Sequence, residues 1–222
     1  MPSSTYTKEE ENKNLRLLQR NFNDITEHEL QLEILEKGTI LNIPKGETIM
    51  TYGHFIRNIP LVLNGIVKVS RENEDGQELF LHYLKAGSTC SITLTCCKID
   101  KKSILKSVAE TDVMLVAVPI EEMETWTAKY PSWKNFTMLS YDKYMSQMID
   151  ILDAVAFQKV DARLLHYLNE KSAVLDSNQI KISHSEIAID LNTSRETISR
   201  MLKQMEKQGK LKLGRNKIEL NV

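Results

Sequence analysis

Apolar and polar positions recur along this chain with two different periods, and the changes of period divide it into segments. Over residues 8–35, Leu15, Leu18 and Phe22 stand at helical spacing, which predicts one or two short helices. From Gly38 the pattern shortens to β-prone runs: Leu61-Val62-Leu63, Ile66-Val67-Lys68-Val69, Leu79-Phe80-Leu81 and Val113-Met114-Leu115-Val116. Between these regions' strands lie the turn marks Pro44-Lys45-Gly46, Tyr52-Gly53, Asn64-Gly65, Asp75-Gly76 and Ala86-Gly87. Asn64-Gly65 between two apolar runs predicts a hairpin, because both residues tolerate positive φ. Many short strands at this spacing imply a small barrel or jelly roll. A long helix is predicted from Pro131, with Met138, Tyr141, Met145, Met148, Leu152 and Val155 at intervals of three and four. Such a seam of about three heptads is either a stripe packed on the barrel or a dimer contact, and its narrowness favours the dimer.

Past Ile180 the helical period returns in shorter pieces. Ser183-His184-Ser185-Glu186 has capping-box spacing, in which the hydroxyl caps the third amide and the glutamate reaches back. The short helix it opens turns Ile187, Ala188 and Leu191 inward, and Asn192 suits a tight left-handed turn. Thr193 and Ser194 offer the next N-cap, with Glu196 three residues after Thr193. On the second helix, Ile198, Met201, Leu202 and Met205 fall on one arc, with Arg195, Glu196, Ser199, Arg200 and Lys203 opposite. Two short helices joined by a tight turn, the second with a basic face, are the pattern of a helix-turn-helix. Leu211-Lys212-Leu213 and Lys217-Ile218-Glu219-Leu220 around Gly214-Arg215-Asn216 predict a small hairpin, or wing, with cations at its tip. The fold class expected is therefore α+β: an N-terminal jelly-roll barrel, a long dimerisation helix and a C-terminal winged helix-turn-helix.

Charge sharpens this picture. The net charge of the 222 residues is −1, but from Leu191 onward eight Lys and Arg stand against three Glu. That end carries +5 and the remainder −6, the asymmetry expected when one end meets phosphates. Composition, at 41% hydrophobic and 27% charged, is that of a soluble globular protein. No apolar run reaches the roughly 18–20 residues that span a bilayer, and the opening MPSSTYTKEEENKN is polar and acidic, so a cytoplasmic protein without membrane association is expected. Three cysteines, two of them adjacent, make no disulfide framework.

Thr193-Ser194-Arg195-Glu196-Thr197-Ile198-Ser199-Arg200 resembles the recognition helix of the cyclic-AMP receptor protein/FNR (Crp/Fnr) family of bacterial regulators. The Gly-punctuated barrel, the long helix and Ala156-Phe157 at its hinge extend the resemblance over nearly the whole chain. It implies a β-barrel effector domain at 1–130, a dimerisation helix and hinge at 131–157, and a winged helix-turn-helix at 158–222. It also implies a homodimer on double-stranded DNA, with two recognition helices in successive major grooves about 34 Å apart. Arg195 and Arg200 would offer paired donors to guanine, and Glu196 would accept from a cytosine amino group. These three residues imply a TGTGA-like half-site, repeated as an inverted pair. Ser183, Ser194, Thr197 and Lys203 are expected at phosphates, with Ser199 on the same face. RNA polymerase is the further partner the resemblance implies, and enzymatic activity is not expected.

The effector pocket departs from the family. Its cyclic-nucleotide-binding members carry a Gly-Glu-Leu cassette followed by Arg-Ser-Ala. Here the matching stretches are Ser91-Ile92-Thr93 and Lys102-Ser103-Ile104, so the ribose-binding carboxylate is missing and Lys102 lacks the guanidinium fork. Met148 and Ile149 stand where polar adenine contacts would be. Ser91, Ile92, Lys102, Ser103 and Met148 are thus the candidate pocket for an unidentified small-molecule effector other than cyclic AMP, and the cofactor stays open. Cys90, Cys96 and Cys97 lie in the same region and fit either small packing residues or a thiol- or metal-sensing cluster. An iron–sulfur cluster of the FNR type needs four cysteines, mostly near the N-terminus, and a haem role would rest on His54 or His82 alone.

Overall fold

The computed structural model describes residues 8–72, 78–94, 102–157, 160–214 and 217–221. The chain forms two compact units, Met1–Lys68 with Leu84–Ser146 and Val69–Tyr83 with Gln147–Val222.

The first unit opens with α1 (Lys8–Asn21) and α2 (His28–Lys37), followed by β1 (Thr39–Ile43), β2 (Thr48–Met50), β3 (Asn58–Asn64) and β4 (Ile66–Glu72). Then come β5 (Glu78–Lys85), which belongs to the second unit up to Tyr83 as β4 does from Val69, the single turn α3 (Ser91–Leu94), β6 (Leu105–Ala109), β7 (Val113–Pro119), α4 (Glu122–Lys129) and α5 (Pro131–Phe157), whose residues from Gln147 on belong to the second unit. Strands order as β1-β7-β3 in one sheet and β2-β6-β4-β5 in another. β7 is the centre of the first sheet, antiparallel to both neighbours, with Leu41 opposite Leu115 and Leu61 opposite Val116.

The period of two explains the core. Ile59, Leu61 and Leu63 of β3, with Val116 and Val118 of β7, turn to one face. There they pack with Leu18 of α1, Phe22 just past its end, Leu30 and Ile34 of α2, Trp126 of α4 and Trp133 of α5, all buried. Gly38 lets α2 hand over to β1 at close range: a Cβ there would lie 2.4 Å from both the Ile34 carbonyl oxygen and Val116 Cγ1.

The predicted Asn64-Gly65 hairpin does not form. β3 pairs with β7 while β4 joins β6 and β5, so this turn carries the chain from one sheet to the other. Gly65 does take the left-handed backbone (φ 86°), and a Cβ there would meet the Asp112 carbonyl oxygen at 2.2 Å. The glycine serves a crossing rather than a hairpin. Asp75-Gly76 lies outside the described residues.

α5 starts at Pro131 as the pattern predicts, and its second residue, Ser132, donates its backbone N–H to Glu27 at 3.1 Å. Glu33 of α2 ties down the preceding helix by accepting from Trp126 Nε1 (2.7 Å), Lys129 Nζ (2.8 Å) and Tyr130 OH (2.8 Å). These donors, led by Lys129, hold its carboxyl down to about 2.

The second unit contains α6 (Val160–Leu175), β8 (Gln179–Ile180), α7 (His184–Asp190), α8 (Arg195–Lys207), β9 (Leu211–Gly214) and β10 (Lys217–Leu220). Its sheet orders β8-β10-β9, all antiparallel, so the predicted β9–β10 wing gains a third strand. Leu164, Tyr167 and Leu168 of α6, Ile187 of α7, Ile198 and Leu202 of α8, Leu211 and Ile218 share one buried core. Tyr167 donates to buried Asp190 at 2.6 Å, and Arg163 Nη2 to the Leu191 carbonyl at 3.0 Å, joining α6 to the end of α7.

Candidate nucleic-acid interface

The helix-turn-helix is built from two caps and one left-handed residue. Ser183 closes the full capping box: its hydroxyl accepts from the Glu186 amide (3.2 Å) and the Glu186 carboxylate accepts from the Ser183 amide (2.8 Å). Asn192 takes φ 48° in the turn, as its side chain tolerates. Ser194, in extended conformation (φ −82°, ψ 148°), caps α8 by accepting from the Thr197 amide at 3.1 Å. Its hydroxyl also lies 3.0 Å from Thr197 Oγ1, as donor. Thr193 and Glu196 therefore do not supply the cap; the serine one residue later does.

Beyond the cap, α8 divides as the period of 3.6 requires. Ile198, Leu202 and Met205 are buried, with Ile198 and Leu202 at 0% exposure. Arg195, Glu196, Arg200 and Lys203 are exposed, and Thr197 and Ser199 are half-buried. Two arginines, one carboxylate and one lysine thus lie on the outer face of a capped helix whose opposite face is locked into the core. Such a face offers paired donors and an acceptor at fixed spacing, which is what reading base edges in a major groove demands. Of the wing, β9 and β10 are present as predicted, whereas Arg215 and Asn216 lie outside the described residues.

One residue of this interface was read in the sequence only as part of a capping box. His184, the first residue of α7, places Nδ1 2.9 Å from Ser199 Oγ on α8 and so bridges the two helices of the motif. Burial, then the charges of Arg195 and Lys203, hold its pKa below the ordinary histidine value. The fifteen-residue separation of the pair leaves no local signal.

The candidate effector residues are placed differently. Ser91 is buried on α3, its hydroxyl donating to the Ser140 carbonyl of α5 at 2.8 Å. Ile92 is half-buried against the main core. Ser103 is buried, with its hydroxyl donating to the Leu105 carbonyl (2.8 Å) and accepting from the Leu105 amide (3.1 Å). Lys102 is exposed, its ammonium 5.4 Å from the Phe55 ring centre. Met148 is half-buried in the other unit. Cys90 is half-buried, and Cys96 and Cys97 lie outside the described residues. Among the described residues, no three His, Cys, Asp or Glu side chains are grouped to hold a metal ion.

A cavity of about 310 Å³ lies in the second unit, lined by Phe80 and His82, by Gln147 and Asp150 of α5, and by Arg163 and Tyr167 of α6. No sequence pattern marked it, because its walls come from stretches far apart in the chain.

Comparison with known proteins agrees with this geometry. Residues 162–221 match the model of the Crp-like helix-turn-helix domain, and residues 40–130 match that of the cyclic nucleotide-binding domain. The two matches follow one another in the order the fold requires. The chain belongs to the Crp/Fnr family. Crp/Fnr proteins are transcription regulators rather than enzymes, and this one is a DNA-binding regulator. Two relatives are global nitrogen regulators. That of Synechococcus elongatus is 25% identical over 168 residues, covering 71% of this chain and 74% of its own. That of Nostoc is 24% identical over 186 residues, covering 80% and 82%. Among solved structures, a Crp/Fnr-family regulator from Eubacterium rectale superposes with a TM-score of 0.78 at 24% identity, covering 90% of this chain and 94% of its own. The c-di-GMP-responsive global regulator CLP of Xanthomonas campestris gives 0.76 at 18%, covering 88% and 100%. Among the described residues, no helix is long and apolar enough to cross a membrane.

Proposed function

We propose that this Crp/Fnr protein acts in the cytoplasm as a homodimer on an inverted pair of TGTGA-like half-sites, with Arg195, Glu196 and Arg200 reading bases. The observation that carries this reading is the outer face of α8, where those three side chains are exposed above a fully buried Ile198 and Leu202. Arg195 and Arg200 pair with guanine O6 and N7, and Glu196 accepts from cytosine. Ser183, Ser194, Thr197, Ser199 and Lys203 surround them, the first three and Lys203 positioning the helix on phosphates. The cap bonds leave the Ser183 hydroxyl proton free of its own cap, since there the serine oxygen is the acceptor.

The dimer runs along α5. Met138, Met145 and Leu152, seven residues apart, are 62%, 59% and 66% exposed, an apolar line that one copy of the chain leaves uncovered. Residues 1–130 sense, 131–157 pair and relay, and 158–222 bind DNA, with RNA polymerase engaged from the surface. The effector is a small molecule other than cyclic AMP. Ser91 and Ser103, which would flank a nucleotide phosphate, spend their hydroxyls on Ser140 and Leu105, and Lys102 rests on Phe55. An effector moves the regulator only as far as it binds the DNA-competent geometry better.

The test is fluorescence-anisotropy titration of an inverted TGTGA repeat and a scrambled duplex at two salt concentrations, because affinity without stated salt means little. Arg200→Ala should cost about 1–3 kcal/mol on the repeat and relax one base position. Equal losses on the scrambled duplex would refute the role given to Arg200.

A further inference from the structure

The pairing of His184 with Ser199 has a consequence for what the interface can read. We propose that His184 is a specificity-determining residue of the DNA interface, setting through its hydrogen bond whether the Ser199 hydroxyl offers DNA a donor or an acceptor. This rests on α8 being the DNA-reading helix.

The geometry supports the step directly. His184 Nδ1 and Ser199 Oγ are 2.9 Å apart, and Ser199 shares its helix face with Arg195, Arg200 and Lys203. A hydroxyl has one proton and two lone pairs. With the ring neutral and its proton on Nε2, bare Nδ1 accepts a hydrogen bond from the Ser199 hydroxyl, so the serine can only accept from DNA, as from the amino group of adenine or cytosine. With the ring protonated, Nδ1–H donates to Ser199, and the serine proton is released toward an acceptor such as guanine O6 or N7 or thymine O4. One proton on the histidine therefore reverses the polarity of a neighbouring group on the reading face.

DNA itself favours the second state. The charged groups that α8 turns toward the ring are Arg195 and Lys203, which disfavour the imidazolium in the free protein. On its own helix, Glu186 is engaged by the Ser183 amide. When phosphates approach Arg195 and Lys203, that opposing field falls and His184 gains proton affinity, so the complex takes up a proton. The sign follows from linkage: the bound state holds more protons, so affinity rises in acid and falls as pH increases. Each unit by which binding raises the histidine pKa is worth up to about tenfold in affinity.

The experiment uses the full chain and a duplex that it enriches from a randomised pool, which requires no assumption about the site. Affinity and base preference are measured at about pH 6 and about pH 8, the range in which histidine titrates. For the unaltered chain, affinity should fall several-fold toward the higher pH, and the preferred base at one pair of each half-site should change. His184→Gln should flatten the slope. Ser199→Ala should keep the slope but lose the pH-dependent preference at that one pair. Nitrogen-15 shifts of the His184 ring, read by NMR in the unaltered chain with and without DNA, give the tautomer and proton affinity independently of any variant. The proposal is overturned by equal slopes for the unaltered chain and His184→Gln, by unchanged base preference, or by a neutral ring protonated on Nδ1. Enrichment of no duplex at all would instead refute DNA recognition by α8, on which the proposal rests.

Discussion

Substituting Ser194 separates what the cap does for the fold from what it does for DNA. Its hydroxyl oxygen accepts from the Thr197 amide at 3.1 Å, one of the four amide groups that the start of α8 would otherwise leave unsatisfied. Ser194→Ala should therefore cost about 1 kcal/mol, within a range of about 0.5–2. That corresponds to a melting shift of about 4–8 °C for a domain of 60–100 residues unfolding by itself, and about 2–4 °C for a larger cooperative unit. Ser194→Asp keeps an acceptor at the same place and adds a charge that the positive end of the helix favours by about 0.3–1 kcal/mol, so stability should hold or rise. In the proposed complex the same carboxylate faces phosphate. Two like charges 4 Å apart repel by about 1 kcal/mol even in water, so affinity should drop at least about fivefold. The assay is circular-dichroism melting beside anisotropy titration on one duplex for the unaltered chain and both variants. Unaltered melting of Ser194→Ala would refute the cap, and unaltered DNA affinity of Ser194→Asp would refute the placing of this end of α8 at phosphate.

Other perturbations follow from the same contacts. Leu202→Ala empties a fully buried site in the core shared by α6, α8 and the small sheet, and should cost about 2–5 kcal/mol by urea denaturation; a loss under 1 kcal/mol would contradict that packing. Lys203→Ala should weaken binding alike on cognate and scrambled DNA and lower the salt slope by about one, whereas a sequence-dependent loss would move Lys203 to base reading. Replacing Met145 and Leu152 together by lysine should convert a dimer to a monomer in sedimentation; finding the unaltered chain already monomeric would remove the seam's role. Glu33 has its carboxyl lowered from 4.5 to about 2, so its stabilising contribution is present above 4.5 and is lost as pH falls from there toward 2. Glu33→Gln should flatten that part of the acid-unfolding profile, and an unchanged profile would show that Trp126, Lys129 and Tyr130 do not depend on the charge.

The legible parts of this chain were those whose physics is local. The onset of α5 at Pro131, the capping box of Ser183 and Glu186, the left-handed Asn192 and the buried arc of Ile198, Leu202 and Met205 each follow from residues within one or two turns of one another. The failures are non-local. Asn64-Gly65 has the local chemistry of a hairpin, but partner choice is decided by β7, some fifty residues later, whose two apolar faces draw β3 into a different sheet from β4. β8 is only two residues long and gains its meaning by pairing with β10. The His184–Ser199 bond and the Tyr167–Asp190 bond join residues 15 and 23 positions apart, with nothing between them to announce the contact. In the effector region the sequence showed which family groups were missing. It did not show that Ser91 and Ser103 are already engaged within the protein.

Selection of bound duplexes from a fully randomised pool, followed by sequencing, tests most directly whether the outer face of α8 reads DNA as a symmetric pair. The expected result is an inverted repeat of TGTGA-like half-sites whose centres lie about one helical turn apart, with Arg200→Ala losing preference at one base pair of each half. Enrichment of a single unrepeated motif would contradict the dimer on α5. Enrichment without any shared sequence, unchanged by Arg200→Ala, would contradict base reading by α8 itself.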